Sequence, residues 1–230
     1  MTIGIIGAMD EEIALIKAEM SDTEEQTIAN SLFIHGMLKG KEVVLLKSGI
    51  GKVNAAMATT IMHERYKPSY VINTGSAGGV NQDLEVGDIV VSTAVLHHDV
   101  DVTAFNYDYG QVPQMPARYE RNQELAAITE RAAKTLNIRY TEGVIATGDS
   151  FMSDPERVKA VQARFPDIAA VEMEAAAIAQ VCYQYDVPFV VIRALSDIAG
   201  KESSVSFDAF LSQAAENASS LIFEVIPSLK

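Results

Sequence analysis

The sequence contains a single cysteine, Cys182, in a chain of 230 residues. One thiol cannot form an internal disulfide, which suits a protein of a reducing compartment. Cys182 shares the i, i+3, i+4, i+7 spacing of Ile178, Val181 and Tyr185, and this spacing predicts the buried face of a helix. We therefore expect Cys182 to serve as a small buried hydrophobic residue.

Basic residues are also scarce, because 18 Lys and Arg stand against 31 Asp and Glu, for a formal net charge of −13. No cluster of Lys and Arg is present, which argues against nucleic acid or an anionic membrane surface as a partner. No apolar run approaches the roughly 18 residues of a membrane span, and the apolar start MTIGIIGAM is too short for a signal peptide. We therefore expect a cytoplasmic protein.

Apolar residues make up 48% of the chain, which is typical of a compact globular protein with a sizeable core. Strand-like apolar runs alternate with helical patterns along the chain, without an internal repeat, a low-complexity tract or a visible domain boundary. This pattern predicts the α/β fold class and one domain over residues 1–230. The expected architecture is a three-layer α/β/α sandwich with a central mixed sheet.

The most informative stretch reads VEMEAAAIAQVCYQYDVPFVVIRALSD. A short apolar approach ends in two carboxylates, Glu172 and Glu174, a helical pattern follows, and the apolar run Phe189–Leu195 predicts a buried strand. Because alternate residues of a strand share a face, we expect Arg193 and Asp197 to project to the same side. Charged groups at strand ends are typical of the ligand site of an α/β enzyme. Ordinary charges at the ends of structural elements are the alternative.

Small or acidic residues lie at the ends of four predicted strands, over 7–12, 74–79, 172–174 and 196–197. If these ends meet at one edge of the sheet, they form a pocket with glycine walls and several carboxylates. The segment TGSAGG has neither the spacing of a dinucleotide-binding loop nor the ending of a Walker loop. Its backbone N–H groups could meet an anion or a hydroxyl, and a tight loop without a ligand is the alternative.

His97 and His98 are adjacent on a predicted strand, so their side chains point to opposite faces and cannot easily chelate one metal ion. We expect one surface histidine and one core histidine. The sequence therefore predicts no metal site, and we expect no cofactor.

The stretch from Val100 to Met115 is irregular and rich in aromatic and turn residues, among them Phe105, Tyr107 and Pro113. Loops of this length inside a compact domain usually have a function. The composition predicts a lid or an interface.

A pocket with three acids, an Arg and an apolar rim favours acid/base chemistry on a neutral or cationic small molecule. Cleavage of a glycosidic bond needs this equipment, because its transition state resembles an oxocarbenium ion that a carboxylate stabilises. The departing group needs a carboxylic acid to protonate it, and the attacking water needs a second carboxylate to deprotonate it.

Several motifs together resemble the 5′-methylthioadenosine/S-adenosylhomocysteine nucleosidases: GIIGAMDEE, NTGSAGG, ATGDSF, VEMEAAA and RALSD. The resemblance spans nearly the whole chain, and NTGSAGG also fits the wider nucleoside phosphorylase superfamily. It implies a nucleoside phosphorylase-like fold, a homodimer and hydrolysis of the adenine–ribose bond in methylthioadenosine, S-adenosylhomocysteine and 5′-deoxyadenosine. The pathway implied is methionine salvage and the recycling of S-adenosylmethionine by-products.

The resemblance also implies roles for individual residues. Glu12 is expected to activate water, Asp197 to protonate adenine, and Glu174 to bind the ribose hydroxyls and favour the positive sugar. The residues expected to hold the substrate and the water are Met9, Ile50, Ser76, Ala77, Gly78, Phe151, Met152, Glu172, Met173, Arg193, Ser196 and Phe207. Those expected to cap the site of the partner subunit are Val102, Phe105, Tyr107 and Pro113.

The segment after Gly7 distinguishes a hydrolase from a phosphorylase. A phosphate site needs cationic donors near a glycine turn, but this turn offers Asp10, Glu11 and Glu12 and no Arg or Lys before Lys17. Negative charge repels phosphate, so we expect water to be the nucleophile. The alternatives are a purine nucleoside phosphorylase on the same fold and a nucleoside-binding protein without turnover.

Overall fold

The structure, a computed structural model, describes residues 1–81, 83–201 and 203–229, and for 203–205 the backbone alone. The strands are β1 Thr2–Gly7, β2 Ser21–Ile28, β3 Ser31–Leu38, β4 Lys41–Lys47, β5 Tyr70–Gly79, β6 Ile89–His97, β7 Tyr119–Glu120, β8 Tyr140–Thr147, β9 Ile168–Glu172 and β10 Phe189–Ile198. The helices are α1 Asp10–Ala18, α2 Lys52–Tyr66, α3 Gln123–Thr135, α4 Pro155–Arg164, α5 Ala175–Gln184 and α6 Ser203–Val225. Short 3₁₀ turns lie at Thr103–Phe105 and Ile226–Ser228.

One mixed sheet contains all of these strands, in the order β10-β6-β8-β9-β5-β1-β4-β3-β2, with β7 paired to β6. β5 also pairs with β10, so five strands close into a ring: β5, β10, β6, β8 and β9. β5 allows this closure because its first half pairs with β1 and its end, at Gly78 and Gly79, pairs with β9.

Helices cover both faces of the sheet. One core joins α1, α3 and α6 to the sheet, and a second joins α2 and α5 to the opposite face. A smaller third cluster holds α4 against β8 and β9. Strands covered on both faces are nearly continuous runs of buried residues, as β10 is from Phe189 to Asp197. The predicted α/β class, a three-layer sandwich with a central mixed sheet, is confirmed.

One local prediction from the sequence was wrong. The TGSAGG segment, expected as a loop, continues β5, because its backbone pairs with β10 as far as Gly79.

The polar segment Ser21–Ile28 is the edge strand β2. Its charged, exposed side chains suit an edge that must not pair with other chains. Among the described residues, no helix is both long and apolar enough to cross a membrane.

Candidate active site

A cavity of about 410 Å³ opens where β1, β5, β9 and β10 end. The predicted site residues that line it are Met9, Glu12, Ile50, Ser76, Ala77, Gly78, Phe151, Met152, Glu172, Met173, Glu174, Ser196, Asp197 and Phe207. Lining residues that the sequence reasoning missed are Ala8, Ser150, Val171, Ala199 and Asp208. The structure therefore brings the four predicted strand ends to one place.

Glu12 lies in the first turn of α1, directly after β1, and its side chain is buried. One carboxylate oxygen accepts the backbone N–H of Ala8 at 2.7 Å and that of Met9 at 3.3 Å. The other accepts both the backbone N–H of Ser76, at 2.8 Å, and the Ser76 hydroxyl, at 3.0 Å. Glu12 thus joins the end of β1 to the glycine-rich end of β5 and is held in one orientation.

Arg193 is fully buried beneath the cavity and does not line it. Its Nη2 donates to Glu172 Oε2 at 2.5 Å and to Asn73 Oδ1 at 2.9 Å, and its Nη1 donates to the Thr74 carbonyl at 3.1 Å. Burial opposes the charged guanidinium, but the carboxylates of Glu172, Glu174 and Glu12 raise the pKa of Arg193 above its ordinary value. Arg193 therefore supplies the positive charge that keeps these carboxylates together.

Both carboxylate oxygens of Glu172 are occupied by protein donors. Oε1 accepts the Thr147 hydroxyl, and Oε2 accepts the N–H groups of Glu174 at 2.9 Å and Ala175 at 2.8 Å, besides Arg193. These bonds fix the turn between β9 and α5. In this geometry Glu172 orients Glu174 at the cavity wall.

Glu174 faces the cavity and accepts the backbone N–H of Gly51 at 2.8 Å through Oε1. Its Oε2 lies 3.8 Å from Arg193 Nη2. Burial first, and the charge of Glu172 second, raise the pKa of Glu174 to about 8. At neutral pH these surroundings favour the protonated form of Glu174, and a positive charge beside it would favour the ionised form.

Asp197 lies near the end of β10, buried, with Ser196 Oγ 3.0 Å from its Oδ1. Its Oδ2 approaches Gly78 so closely that a Cβ on Gly78 would lie only 3.0 Å away. The pairing of β10 with β5 shifts register between Leu195 and Asp197. This irregularity breaks the alternation expected from the sequence, so Asp197 lines the cavity while Arg193 lies beneath it.

The remaining wall is apolar. Phe151 is about half exposed, lines the cavity and contacts Phe207 edge to face, with ring centroids 5.9 Å apart. Met152 beside it is buried. An aromatic and thioether wall opposite a row of carboxylates suits a flat, polar-edged ring joined to a sugar.

The four residues expected to act on a partner subunit do not line this cavity. Phe105 is 75% exposed, Pro113 is exposed, and Val102 and Tyr107 are half-buried. Their position outside the cavity of their own chain leaves them available to another molecule.

His97 and His98 are both buried, so the expectation of one surface histidine was wrong. His97 contacts Gln180 through Nε2 at 3.0 Å, and His98 packs beneath Gly148. Burial lowers the pKa of both rings. Within residues 1–81, 83–201 and 203–229, no group of three or more His, Cys, Asp or Glu side chains is arranged to hold a metal ion.

The segment after Gly7 is less purely acidic than the sequence indicated. Lys47, at the end of β4, lies opposite Gly7 in the sheet and places Nζ 2.8 Å from each carboxylate oxygen of Asp10. This lysine is paired with an acid rather than directed at the cavity. None of the described residues lining the cavity is an Arg or a Lys.

Comparisons with known proteins agree with this geometry. The chain matches the phosphorylase superfamily over residues 2–227. It is 59% identical to a 5′-methylthioadenosine/S-adenosylhomocysteine nucleosidase of Bacillus cereus, with all of both chains covered.

Two crystal structures of such nucleosidases are also similar. One, from Neisseria meningitidis with methylthio-immucillin-A, has a TM-score of 0.97 at 46% identity, covering 99% of each chain. The other, from Colwellia psychrerythraea with adenine, has a TM-score of 0.97 at 50% identity, covering 100% of this chain and 96% of that one. The chain therefore belongs to the 5′-methylthioadenosine/S-adenosylhomocysteine nucleosidase family of the phosphorylase superfamily.

Proposed function

We propose that the protein hydrolyses the bond between adenine and ribose in 5′-methylthioadenosine, S-adenosylhomocysteine and 5′-deoxyadenosine. The observation that carries this proposal is the convergence of Glu12, Glu174 and Asp197 on one cavity that no Arg or Lys among the described residues lines. The relatives named for this activity, and the relative that holds adenine, support the same substrate class.

The first step is departure of the base. Asp197, protonated and steadied by Ser196, donates its proton to the imidazole-side nitrogen of adenine that is not bonded to the sugar. The glycosidic nitrogen then takes the electron pair of the breaking bond, and adenine leaves as a neutral base. Phe151 stacks on the purine and the backbone of Met152 pairs with its Watson–Crick edge, so the base is held in the plane that Asp197 reaches.

The sugar then carries positive charge. Glu174 binds the ribose hydroxyls and, in its ionised form, stabilises this charge, while Met173 packs against the ring. A positive sugar offsets the burial that favours protonated Glu174, so Glu174 releases its proton to solvent as the substrate is bound and takes one up again after the products leave.

Water completes the reaction. Glu12 removes a proton from a water molecule held by Ser76, and the hydroxide oxygen bonds to the anomeric carbon. Arg193 lies beneath the cavity and is proposed to fix this water through the carboxylates that it orients. The released products are adenine and the 5-thio-substituted ribose, and Glu12 and Asp197 exchange protons with solvent before the next cycle.

Phosphate is not the proposed nucleophile. Its charge needs cationic donors, but the lining residues with ionisable side chains are carboxylates, and Lys47 is held by Asp10. The rival reading as a phosphorylase therefore lacks a phosphate clamp among the described residues of the cavity.

We also propose a homodimer in which Val102, Phe105, Tyr107 and Pro113 cap the partner's cavity. Large exposed apolar side chains support an interface, because Phe105 is 75% and Val53 of α2 is 77% exposed. The test is sedimentation of the wild type and of Val53→Asp, which we expect to shift from dimer to monomer. A wild type that sediments as a monomer would reject the dimer.

We propose that residues 1–230 form one domain that acts in the cytoplasm, in methionine salvage and the recycling of S-adenosylmethionine by-products.

The decisive experiment is incubation with methylthioadenosine in phosphate-free buffer and chromatography for free adenine. We expect adenine at a rate that added phosphate does not change. Strict dependence on phosphate would identify a phosphorylase, and tight binding without adenine release would identify a nucleoside-binding protein.

A further inference from the structure

Three loops at the rim of the cavity are joined by a closed set of hydrogen bonds. The backbone N–H of Lys52 donates to Asp149 Oδ1 at 2.7 Å, and the backbone N–H of Asp149 donates to Asp99 Oδ2 at 3.0 Å. Lys52 Nζ closes the set with a 2.5 Å bond to Asp99 Oδ1. We name these three residues the rim clamp.

The rim clamp connects segments that are distant in sequence. Lys52 opens α2, Asp99 follows β6, and Asp149 follows β8. Consecutive members are 47 and 50 residues apart, so no local turn explains their contact. The ends of β6 and β8 are already adjacent, because His98 donates its backbone N–H to the Thr147 carbonyl at 2.8 Å and packs beneath Gly148. The two bonds of Lys52 join the start of α2 to these two strand ends.

Each side of the rim clamp leads directly to a cavity wall. Gly51, next to Lys52, donates its N–H to Glu174 Oε1 at 2.8 Å, and a Cβ on Gly51 would lie 3.1 Å from Asp149 Oδ1. Phe151, two residues after Asp149, forms the aromatic wall. The sugar side and the base side of the cavity therefore meet at the rim clamp.

The electrostatics of Asp99 suit a role as the central acceptor. Burial alone would raise the pKa of Asp99, but the hydrogen bonds from Lys52 and from the Asp149 N–H lower it below its ordinary value. Its side chain is 29% exposed and that of Lys52 is 19% exposed, so solvent only partly screens the pair. None of the three members lines the cavity.

We infer that Asp99 is a positioning residue that, through Lys52 and Asp149, sets the spacing between the sugar-binding and base-binding walls. The inference rests on the proposed nucleosidase function. It predicts that weakening the rim clamp impairs substrate and adenine binding more than the chemical step, because no member touches the reacting atoms.

The test compares Asp99→Asn and Lys52→Met with the wild type. Asparagine at position 99 turns an amide NH₂ towards one of its two hydrogen-bond donors, which are Lys52 Nζ and the Asp149 N–H. Methionine at position 52 removes the cation and leaves the bond from the Asp149 N–H to Asp99 in place. We expect KM for methylthioadenosine to rise about fivefold in each, with kcat changed less than about twofold. The KM of the double variant should not exceed that of the more impaired single variant, because both substitutions remove the same ion pair between Lys52 and Asp99. Lys52→Arg, which keeps a cation near Asp99, should stay near wild type.

Glu19→Gln is the matched control, since it removes an exposed ion pair to Lys39, 2.7 Å long, far from the rim clamp in the chain. It should leave KM unchanged, with a melting temperature close to those of the clamp variants. Unchanged KM in both clamp variants, a fall in kcat at constant KM, or a lower melting temperature at constant KM would each overturn the inference. If Asp99→Asn does not fold, Lys52→Met carries the test.

Calorimetric binding of adenine separates this inference from the proposed function. A wild type that binds adenine but releases none from methylthioadenosine would reject the hydrolysis, while the adenine affinity of the variants would still test the rim clamp. If the wild type is active and both clamp variants bind adenine with the affinity of the wild type, the inference about the rim clamp is rejected and the proposed function is not.

Discussion

Ser76 donates both its backbone N–H and its hydroxyl to the same carboxylate oxygen of Glu12, at 2.8 and 3.0 Å. Two donors from one residue leave this oxygen little freedom to rotate. The other oxygen of Glu12 is held by the N–H groups that precede α1. Glu12 is thus oriented by protein groups alone, which is the condition for the efficient general base that we propose it to be.

Glu12→Gln should therefore lower the rate of adenine release by about 10²–10⁴. The amide keeps the shape and can still accept from Ser76, but it cannot take a proton from water. Ser76→Ala is the comparison, because it keeps the backbone donor and removes only the hydroxyl, and it should lose about tenfold. Single-turnover rates measure both, and near-native turnover in Glu12→Gln would exclude the base role.

Asp197→Asn should still bind adenine while its turnover falls by about 10²–10⁴. The amide has no proton of suitable acidity to deliver to the departing base, although it preserves the contact with Ser196. Calorimetry with adenine and steady-state kinetics separate binding from chemistry. Turnover close to that of the wild type would exclude Asp197 as the general acid.

The meeting of Glu12 and Asp197 could be predicted from the sequence, because each follows or ends a strand-like run and β1, β5 and β10 are parallel, so their ends meet at one edge of the sheet. Glu174 also follows a strand-like run, but β9 is antiparallel to β5, so it reaches the cavity through the pairing of Val171 with Gly78. The buried face of α5 was readable from the spacing of Ile178, Val181 and Cys182. Tyr185, expected on the same face, lies after the end of the helix and is exposed.

Other features depend on pairing between distant segments and have no local signal. Lys47 reaches Asp10 only because β4 pairs with β1, and Asp197 lines the cavity while Arg193 lies beneath it because the register shifts between Leu195 and Asp197. Thr147 and Asn73 stood inside the recognised motifs ATGDSF and NTGSAGG, but their roles as partners of Glu172 and Arg193 appear only in three dimensions. Asp208 lies beyond the first turn of α6 and had no signal, because a lone acid on a helix is usually a solvent-exposed surface residue.

Gly75→Ala should abolish activity and destabilise the fold. Gly75 has φ +152°, and a Cβ there would lie 2.2 Å from Arg193 Nη1 and 2.6 Å from Glu12 Oε1. Both groups are buried and hydrogen-bonded, so neither can move without losing partners, and such overpacking costs about 1–3 kcal/mol.

Gly40→Ala is the matched control for this substitution. Gly40 also has positive φ, at +79°, but nothing lies within 4 Å of an added Cβ. It should cost only the backbone strain of about 1 kcal/mol and leave turnover unchanged. Chemical unfolding and adenine release measure both variants. Equal effects of the two substitutions would show that the contacts with Arg193 and Glu12 do not constrain position 75.

Glu174→Gln should stabilise the fold increasingly as the pH rises from about 5 to 8, while it lowers turnover. Burial raises the folded-state pKa of Glu174 from 4.5 to about 8, so the folded protein holds a proton that the unfolded chain releases near pH 4.5. The wild type is therefore most favoured below that value and loses stability as the pH rises towards 8. Glutamine stays neutral throughout, so the variant should exceed the wild type by more than about 1 kcal/mol at pH 8 and by little at pH 5.

Chemical unfolding of both proteins across this pH range measures the difference directly. Glu19→Gln serves again as the control, because its carboxylate belongs to an exposed ion pair with Lys39 and should give no stabilisation that grows with pH. Loss of turnover in Glu174→Gln would mean that the destabilising carboxylate is kept for its charge near the sugar. A stability difference that stays constant from pH 5 to 8 would show instead that Glu174 of the folded protein is ionised across this range without substrate, so that its charge does not depend on the positive sugar.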